Sequence, residues 1–474
     1  MKKYMMIVAA ALAMFQDVIC DKASTEKAES TSKDRVISLE ESIIAAYNEN
    51  PSWLAVQTDA NAARQAKKEA QFEFVPKVSG SITSSRSADD SEGTENTSIF
   101  GTQLSPFHRV RAQTSTEMGI QVRQNLFKGF QSINNIKSKD NSVKAAHYAM
   151  VKARGDLLAR VIISYVDIWA KAQAFEAYQQ KENNLQKLYE AQIVSLEAGV
   201  STRVDVEEAR AKYESAKFDR ISAKNKLIQA QKTFEYLTGI NPDGQLQFPR
   251  LSQKDMPKDL ESFKNEVRAN NPEILQYKFQ ALAAENDRSA IQAELGPSVD
   301  AILSARRTLN KPENHENTSH TKRNNHYDFQ LSASLPLLDL PIYSRVQQYS
   351  ERANGANFKY KDKLSEIMSA CETYYDRLNT AEALIKSSMA AVKSSETAST
   401  SNLDAVAIGT KSNTEFLDGQ NTLLNARIQL VEAQRTRVET IIQILSLTGK
   451  LDLQTVFNVL QSKIQFESKD SAKQ

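Results

Sequence analysis

The stretch "VSLEAGVSTRVDVEEARAKY", from Val194 to Tyr213, interrupts a long helical sequence and decides the fold. Gly199 tolerates the left-handed backbone conformation in which many helices end. Ser201 and Thr202 follow it, and both residue types are preferred at the start of a new helix. We therefore predict that one long helix ends at Gly199 and that the chain returns as a second helix from about residue 205.

A second stretch, "DAVAIGTKSNTEFLDGQNTL", repeats this pattern from Asp404 to Leu423. Gly409 lies 210 residues after Gly199. The same offset relates Leu447-Thr448-Gly449 to Leu237-Thr238-Gly239. We therefore predict that Gly199 and Gly409 occupy the tips of two equivalent helical hairpins.

The duplication extends upstream of the turns. Asn271-Pro272 lies 221 residues after Asn50-Pro51, and Pro297 lies 221 residues after Pro76. The chain is thus interpreted as two tandem repeats, 37–250 and 258–460. The offset shortens between Pro76 and Gly199, and we predict that the difference falls in polar loops, where insertions are tolerated.

Each repeat is predicted to run helix, strand, loop, strand, long helix, turn and helix. Alternating apolar residues indicate strands at about 77–86 and 118–127 in the first repeat and at about 298–307 and 327–336 in the second. Polar loops are expected at about 87–116 and 308–326. Two short helices of the first repeat, 52–75 and 205–237, would nearly match the length of the long helix 133–197.

The two ends of the chain are predicted to lie outside these repeats. "MKKYMMIVAAALAMF" has a basic start and a short apolar run, so residues 1–20 are interpreted as a secretory signal peptide. Lipidation of Cys20 is the alternative for this end. Residues 461–474 are expected to form a flexible tail.

Composition argues against several classes of function. Lys and Arg number 60 and Asp and Glu 58, so the net charge is +2 and no nucleic-acid footprint is indicated. The sequence has no glycine-rich phosphate loop, nucleophile elbow or zinc-ligand spacing. We predict neither an enzyme nor a cofactor.

Four two-faced strands cannot close a membrane barrel alone, because the smallest such barrels use about eight. An open sheet edge in lipid would leave backbone groups without hydrogen bonds. If the strands cross a membrane, several chains must share one barrel.

The order and duplication of these segments resemble the TolC family of outer-membrane efflux and secretion channels. The matching residues are Asn50-Pro51, Pro76-Lys77-Val78, "GIQVRQNLF", "EAGVSTRVDVEEARAKY" and "YLTG", with their second-repeat partners. The resemblance implies a mainly α fold with a small membrane β part. Tandem helical hairpins would form an α-barrel, and four strands per chain would contribute to a trimeric 12-stranded β-barrel.

The resemblance also implies partners. A homotrimer in outer-membrane lipid would work with an inner-membrane transporter and a periplasmic adaptor, also called a membrane fusion protein. It would export drugs, secreted proteins or both. The alternative from the residues alone is a periplasmic coiled-coil scaffold or adaptor that never enters a membrane.

The family's closed periplasmic entrance implies roles for four residues near the turns. Glu415 and Asp418 fall on the two carboxylate positions of the entrance ring, and Asp205 and Lys411 on a polar link that holds it shut. Lys411 stands where the family's namesake has arginine, and lysine makes no bidentate contact. Val406 replaces a tyrosine of the pattern, so one hydrogen-bonded link is lost. Solvated charges beside a helix N-terminus are the alternative explanation for all four.

Overall fold

A computed structural model describes residues 39–96, 104–242, 257, 259–312, 322–407 and 413–452. The described residues form eight α-helices and one four-stranded sheet, with a short 3₁₀ turn before β1 and another before β3. The predicted signal peptide and tail, together with Gly409 and Lys411, lie outside the described residues. Within the described part of the chain, no helix is both long and apolar enough to cross a bilayer.

The first repeat contains α1 (Leu39–Glu49), α2 (Pro51–Gln71), β1 (Lys77–Asn96), β2 (Leu104–Lys128), α3 (Gln131–Glu197) and α4 (Arg203–Thr238). The second repeat has the same order. It contains α5 (Leu260–Asn270), α6 (Pro272–Gln292), β3 (Ser298–Pro312), β4 (Lys322–Ser334), α7 (Leu340–Ala407) and α8 (Asn413–Leu447). The tandem duplication inferred from sequence offsets is therefore present in the fold.

The short helices α2 and α4 stack end to end beside the long helix α3. Asn50 caps α2 by accepting hydrogen bonds from the backbone N–H of Ser52 at 3.1 Å and of Trp53 at 3.3 Å. Its Nδ2 donates to the carbonyl oxygen of Leu237 at 3.2 Å. That carbonyl lies in the last turn of α4, where no helical donor remains. One buried asparagine thus satisfies both helix ends, and we call this contact the stacking junction.

The second repeat builds the same junction. Asn271 Oδ1 accepts from the N–H of Ile274 at 2.9 Å, and its Nδ2 donates to the carbonyl of Leu447 at 2.9 Å. Gly239 and Gly449 follow these carbonyls with φ of 72° and 70°. Each terminates its helix in the left-handed conformation that glycine adopts at little cost.

Between the stacking junction and the tip at Gly199, the helices pack as coiled coils. Four alanines of α4 are buried at seven-residue spacing, Ala209, Ala216, Ala223 and Ala230. A seven-residue repeat keeps one seam of a helix against its neighbour, and alanine lets the two backbones approach closely. The main apolar core lies near the junctions, where α1 and α5 add buried side chains such as Ile43 and Phe263.

The two repeats are joined by polar contacts between α3 and α8. Arg435 appears in sequence as a charged intrusion into an apolar stripe of α8. Its Nε donates to Asp167 of α3 at 3.0 Å, and its Nη1 donates to Glu432 at 2.8 Å. Further along, Asn184 of α3 donates to Gln420 of α8 at 2.9 Å. Arg435 therefore links α8 to α3.

The four strands form one antiparallel sheet in the order β1-β2-β3-β4. They are longer than predicted, because β1 ends at Asn96 and β2 begins at Leu104, so most of the expected loop 87–116 is strand. The outer part of β1, "SADDSEGTEN", has no apolar face, but its backbone pairs residue by residue with β2. In the second repeat β3 and β4 likewise extend into the expected loop 308–326. β1 and β2 together hold 45 residues, whereas β3 and β4 hold 28. The change in repeat offset, 11 residues, therefore falls mainly in strands and not in the polar loops where it was predicted.

Candidate functional site

The tip between α3 and α4 has a well-defined local structure. Gly199 has φ of 73°, and no heavy atom lies within 4 Å of a Cβ built on it. The N–H of Val200 donates to the carbonyl of Ser195 at 2.9 Å, and the N–H of Gly199 to that of Leu196 at 3.0 Å. This pair of bonds is the Schellman motif that closes helix C-termini. Glycine is needed here for its conformation rather than for space.

Asp205 closes the start of the returning helix. Its Oδ2 accepts from the hydroxyl of Thr202 at 2.7 Å and from the Thr202 backbone N–H at 2.9 Å, while Thr202 Oγ1 accepts from the Asp205 N–H at 3.3 Å. This reciprocal capping box satisfies two helix donors. The hydrogen bonds from Thr202 lower the pKa of Asp205, because they favour the charged carboxylate. The exposed Asp205 is therefore an anion held in a fixed position.

The tip is also fastened to α3. The hydroxyl of Ser201 lies 2.8 Å from Gln192 Oε1 and 3.3 Å from Asp205 Oδ2. A hydroxyl has one proton to donate, so the closer acceptor, Gln192, is the main partner. Gln192 is itself buried on α3. The turn is thus a rigid end to the hairpin.

The second tip is described only in part. Glu415 lies in the first turn of α8, and Asp418 is exposed three residues further on. Positions three apart share a face of a helix. With Gly409 and Lys411 outside the described residues, the predicted pairing of Asp205 with Lys411 stays a prediction.

The sheet, at the other end of the molecule, has two chemically different faces. Register places Val78, Val122, Leu303 and Phe329 in one row across the four strands, and Gly80, Ile120, Ala305 and Tyr327 in the next. We call the face with these two rows the apolar face. Six of these eight side chains are large and hydrophobic, and Val78, Ile120, Leu303, Tyr327 and Phe329 are exposed.

The opposite, polar face carries Ser, Thr, Gln, Asn and charged side chains. Its ions are paired across strands: Arg123 lies 3.5 Å from Asp300, and Arg306 lies 3.9 Å from Glu117. Asn125 also donates to Asp300 at 3.1 Å. A sheet that exposes one apolar and one hydrated face separates lipid from water.

Two features of the chain offer little chemistry. In the part of the chain that the structure describes, no group of three or more His, Cys, Asp and Glu side chains is placed to hold a metal ion. Cys371 is buried in the core of α7, and burial raises the pKa of its thiol to about 11. A thiol with that pKa stays protonated and unreactive.

Tall helical hairpins that end in a sheet with one apolar and one polar face are typical of a membrane protein built around a passage. The model of a family described as outer membrane efflux protein matches this chain twice, over residues 43–239 and 264–450. The chain belongs to the outer membrane efflux protein family, whose members are export channels of the outer membrane.

Individual relatives are distant in sequence but similar over most of the chain. The outer membrane efflux protein BepC of Brucella suis biovar 1 is 22% identical over 346 residues, which cover 72% of this chain and 73% of that protein. The outer membrane protein TolC of Escherichia coli strain K12 is 22% identical over 335 residues, covering 66% of this chain and 64% of that protein. A membrane protein from Pseudomonas aeruginosa has the same fold, with a TM-score of 0.72 at 17% identity over 88% of this chain and 91% of that one.

The stacking junctions contain two residues that the sequence analysis did not identify as functional. The cross-helix donors Asn50 and Asn271 set the stacking junctions, and their partners lie 187 and 176 residues away. The available signal was the duplication itself, because Asn50-Pro51 recurs as Asn271-Pro272 and each repeat contains one Leu-Thr-Gly triplet.

Proposed function

We propose that three copies of this chain form one export duct, with a 12-stranded barrel in the outer membrane and an α-helical tunnel in the periplasm. The observation that carries the proposal is the open, two-faced sheet. Within the described residues, β1 and β4 each have one free edge. In lipid every unpaired backbone group costs several kcal/mol, so another copy must pair with each edge.

The width of the passage favours three copies over two. Two copies would supply eight strands, and the interior of an eight-stranded barrel is filled by side chains. Three copies supply twelve strands and leave a wider lumen. The polar face would line that lumen, and the apolar face would contact lipid.

The height of the apolar face fits a bilayer. Strands tilted by about 40° climb about 2.5 Å per residue. Within β4 the stretch from Tyr327 to Ser334 would therefore span about 18 Å, and the exposed Leu335 and Leu337 continue the apolar surface beyond the strand. The apolar band on outer-membrane barrels is about 25 Å tall, so the strand part of this surface would cover most of it.

The helical hairpins would carry the passage into the periplasm. The 67 residues of α3 extend about 100 Å, and α2 stacked on α4 extends about 86 Å. A periplasmic adaptor and an inner-membrane transporter would dock at this end and supply the energy. Drugs, secreted proteins or both would leave through the duct.

Glu415, Asp418, Asp205 and Lys411 would control the periplasmic entrance. Threefold symmetry would bring six carboxylates from Glu415 and Asp418 to one constriction, where like charges attract cations. Asp205, fixed by its capping box, would present its remaining oxygen to Lys411. Adaptor docking would break this link and open the coils.

Single-channel conductance in planar bilayers tests this proposal. The detergent-extracted native protein is compared with Glu415→Ala/Asp418→Ala. The matched control is Asp362→Ala/Asp376→Ala, which removes two exposed carboxylates from the middle of α7. We expect a small cation-selective conductance that trivalent cations block, with the block lost only in the tip variant.

Two outcomes would contradict the proposal. Equal loss of block in the control would mean that the general charge of the tunnel, and not the entrance, binds the cation. A mature chain that is soluble without detergent and never inserts would favour the periplasmic scaffold instead.

A further inference from the structure

We propose that Arg307, Lys311 and Arg323, on the apolar face of the sheet, form a binding site for the phosphate groups of an anionic membrane lipid. The inference rests on the proposed function, because it requires that this face meets lipid. It adds the headgroup chemistry and the residues that recognise it.

The apolar face changes character in an ordered way along β4. Away from the helices, its side chains become first aromatic, then amphipathic and finally cationic: Ala333, Leu331, Phe329, Tyr327, Asn325, Arg323. Tyr327 and Phe329 are 77% and 71% exposed. Aromatic side chains are enriched where the hydrocarbon of a membrane meets its headgroups. The residues beyond Tyr327 therefore lie at headgroup level.

The neighbouring strand places two more cations at this level. Arg307 pairs with Asn325, and Leu309 with Arg323, so Lys311 lies one row beyond Arg323 on the same face. Strand geometry puts the Cα atoms of Arg307 and Lys311 each about 8 Å from that of Arg323. Three long cationic side chains thus surround Leu309 within reach of one headgroup.

These cations are available to a ligand. All three side chains are exposed, and none forms an ion pair with another described residue. On the polar face of the same strands, by contrast, Arg123 and Arg306 have carboxylate neighbours. Within one copy, the described acids of the apolar face, Asp90 and Glu92, lie on β1, at the opposite edge of the sheet from β4.

Phosphate is the anion that this cluster fits. Arginine forms bidentate hydrogen bonds with phosphate, and lysine adds a compact charge. An adjoining apolar surface would hold acyl chains, which a free anion lacks. The cluster lies toward the strand ends farthest from the helices, so the lipid would belong to the leaflet facing away from the periplasm.

Lipid binding to the delipidated, detergent-solubilised protein tests the site. A diphosphorylated lipid A is titrated by native mass spectrometry against the native chain and Arg307→Gln/Lys311→Gln/Arg323→Gln. The charge-matched control is Arg123→Gln/Arg306→Gln/Lys322→Gln on the polar face of the same sheet. The single variant Arg323→Gln, at the start of β4, keeps the test available if the triple variant does not fold.

We expect saturable binding that weakens about fivefold for Arg323→Gln and about 100-fold for the triple variant, with the control unchanged. Equal weakening in the control, or no binding to a native protein that conducts in bilayers, would overturn the lipid site alone. Competition by millimolar inorganic phosphate would reduce it to a plain anion site and overturn the lipid assignment. Failure of the native protein to insert at all would instead count against the duct.

Discussion

The stacking junction of the first repeat makes two separable contributions to stability. Asn50→Ala removes the N-cap of α2, a loss of about 1 kcal/mol. It also leaves the buried carbonyl of Leu237 without its donor, which costs about 1–3 kcal/mol. We therefore expect Asn50→Ala to cost about 2–4 kcal/mol in local stability. Asn50→Asp keeps the cap acceptor but turns the donor into a carboxylate oxygen that faces the Leu237 carbonyl, so it should not restore the stability of the α4 end.

Hydrogen–deuterium exchange of the reconstituted protein measures this cost. Each 1.4 kcal/mol corresponds to about tenfold faster exchange, so peptides at the start of α2 and the end of α4 should exchange roughly 30-fold to 1000-fold faster in Asn50→Ala. The matched control is Asn61→Ala, also on α2, whose exposed side chain accepts only from Arg64. Exchange in Asn50→Ala within threefold of the control would refute the reasoning.

Two further predictions concern single turns. Because folding lowers the pKa of Asp205, its carboxylate stabilises the tip fully above the ordinary Asp pKa of about 4 and loses this effect as pH falls through the lower folded value. The difference in exchange at residues 199–206 between native protein and Asp205→Asn should therefore shrink on acidification, and a difference independent of pH would contradict the assignment. Gly449→Ala should lower the thermal midpoint, because φ is 70° and the new Cβ would lie 2.8 Å from the carbonyl oxygen of Asn270. Gly355→Ala, inside α7 with nothing within 4 Å, should raise it, and a reversed order in the melting curves would refute the argument.

The helical part of the fold was predictable because its signals are local. Proline after asparagine marks a helix start, and glycine before a polar cap marks a reversal, whatever the rest of the chain does. These signals recur at fixed offsets in the two repeats. Gly199 and Asp205 therefore lie where the sequence predicted a turn and a returning helix.

The strands were predicted too short because pairing, not side-chain pattern, sets their length. Beyond Arg86, β1 is rich in Ser, Asp and Glu and alternates no longer. The backbone of β2 nevertheless supplies a partner for each residue up to Asn96. Such pairing depends on a partner strand that is distant in the sequence, and a local residue pattern does not reveal that partner.

The contacts between distant segments were likewise beyond the sequence. Arg435 read as an interruption of an apolar stripe, because its partner Asp167 lies 268 positions away. The cross-helix bond from Asn50 has the same cause. A polar residue in an apolar pattern can be interpreted only when the opposing helix is known.

The stacking junctions also separate the length of the hairpins from the rest of the molecule. The junction region is held by this bond and by the main apolar core, whereas the buried alanines of α4 on the tip side of it repeat every seven residues. Seven residues added to each of α3, α4, α7 and α8 would lengthen both hairpins by about 10.5 Å and keep their seam positions in register. The length of the hairpins can thus change in steps of one heptad without any change to the sheet. This would let the same architecture match different distances between two membranes.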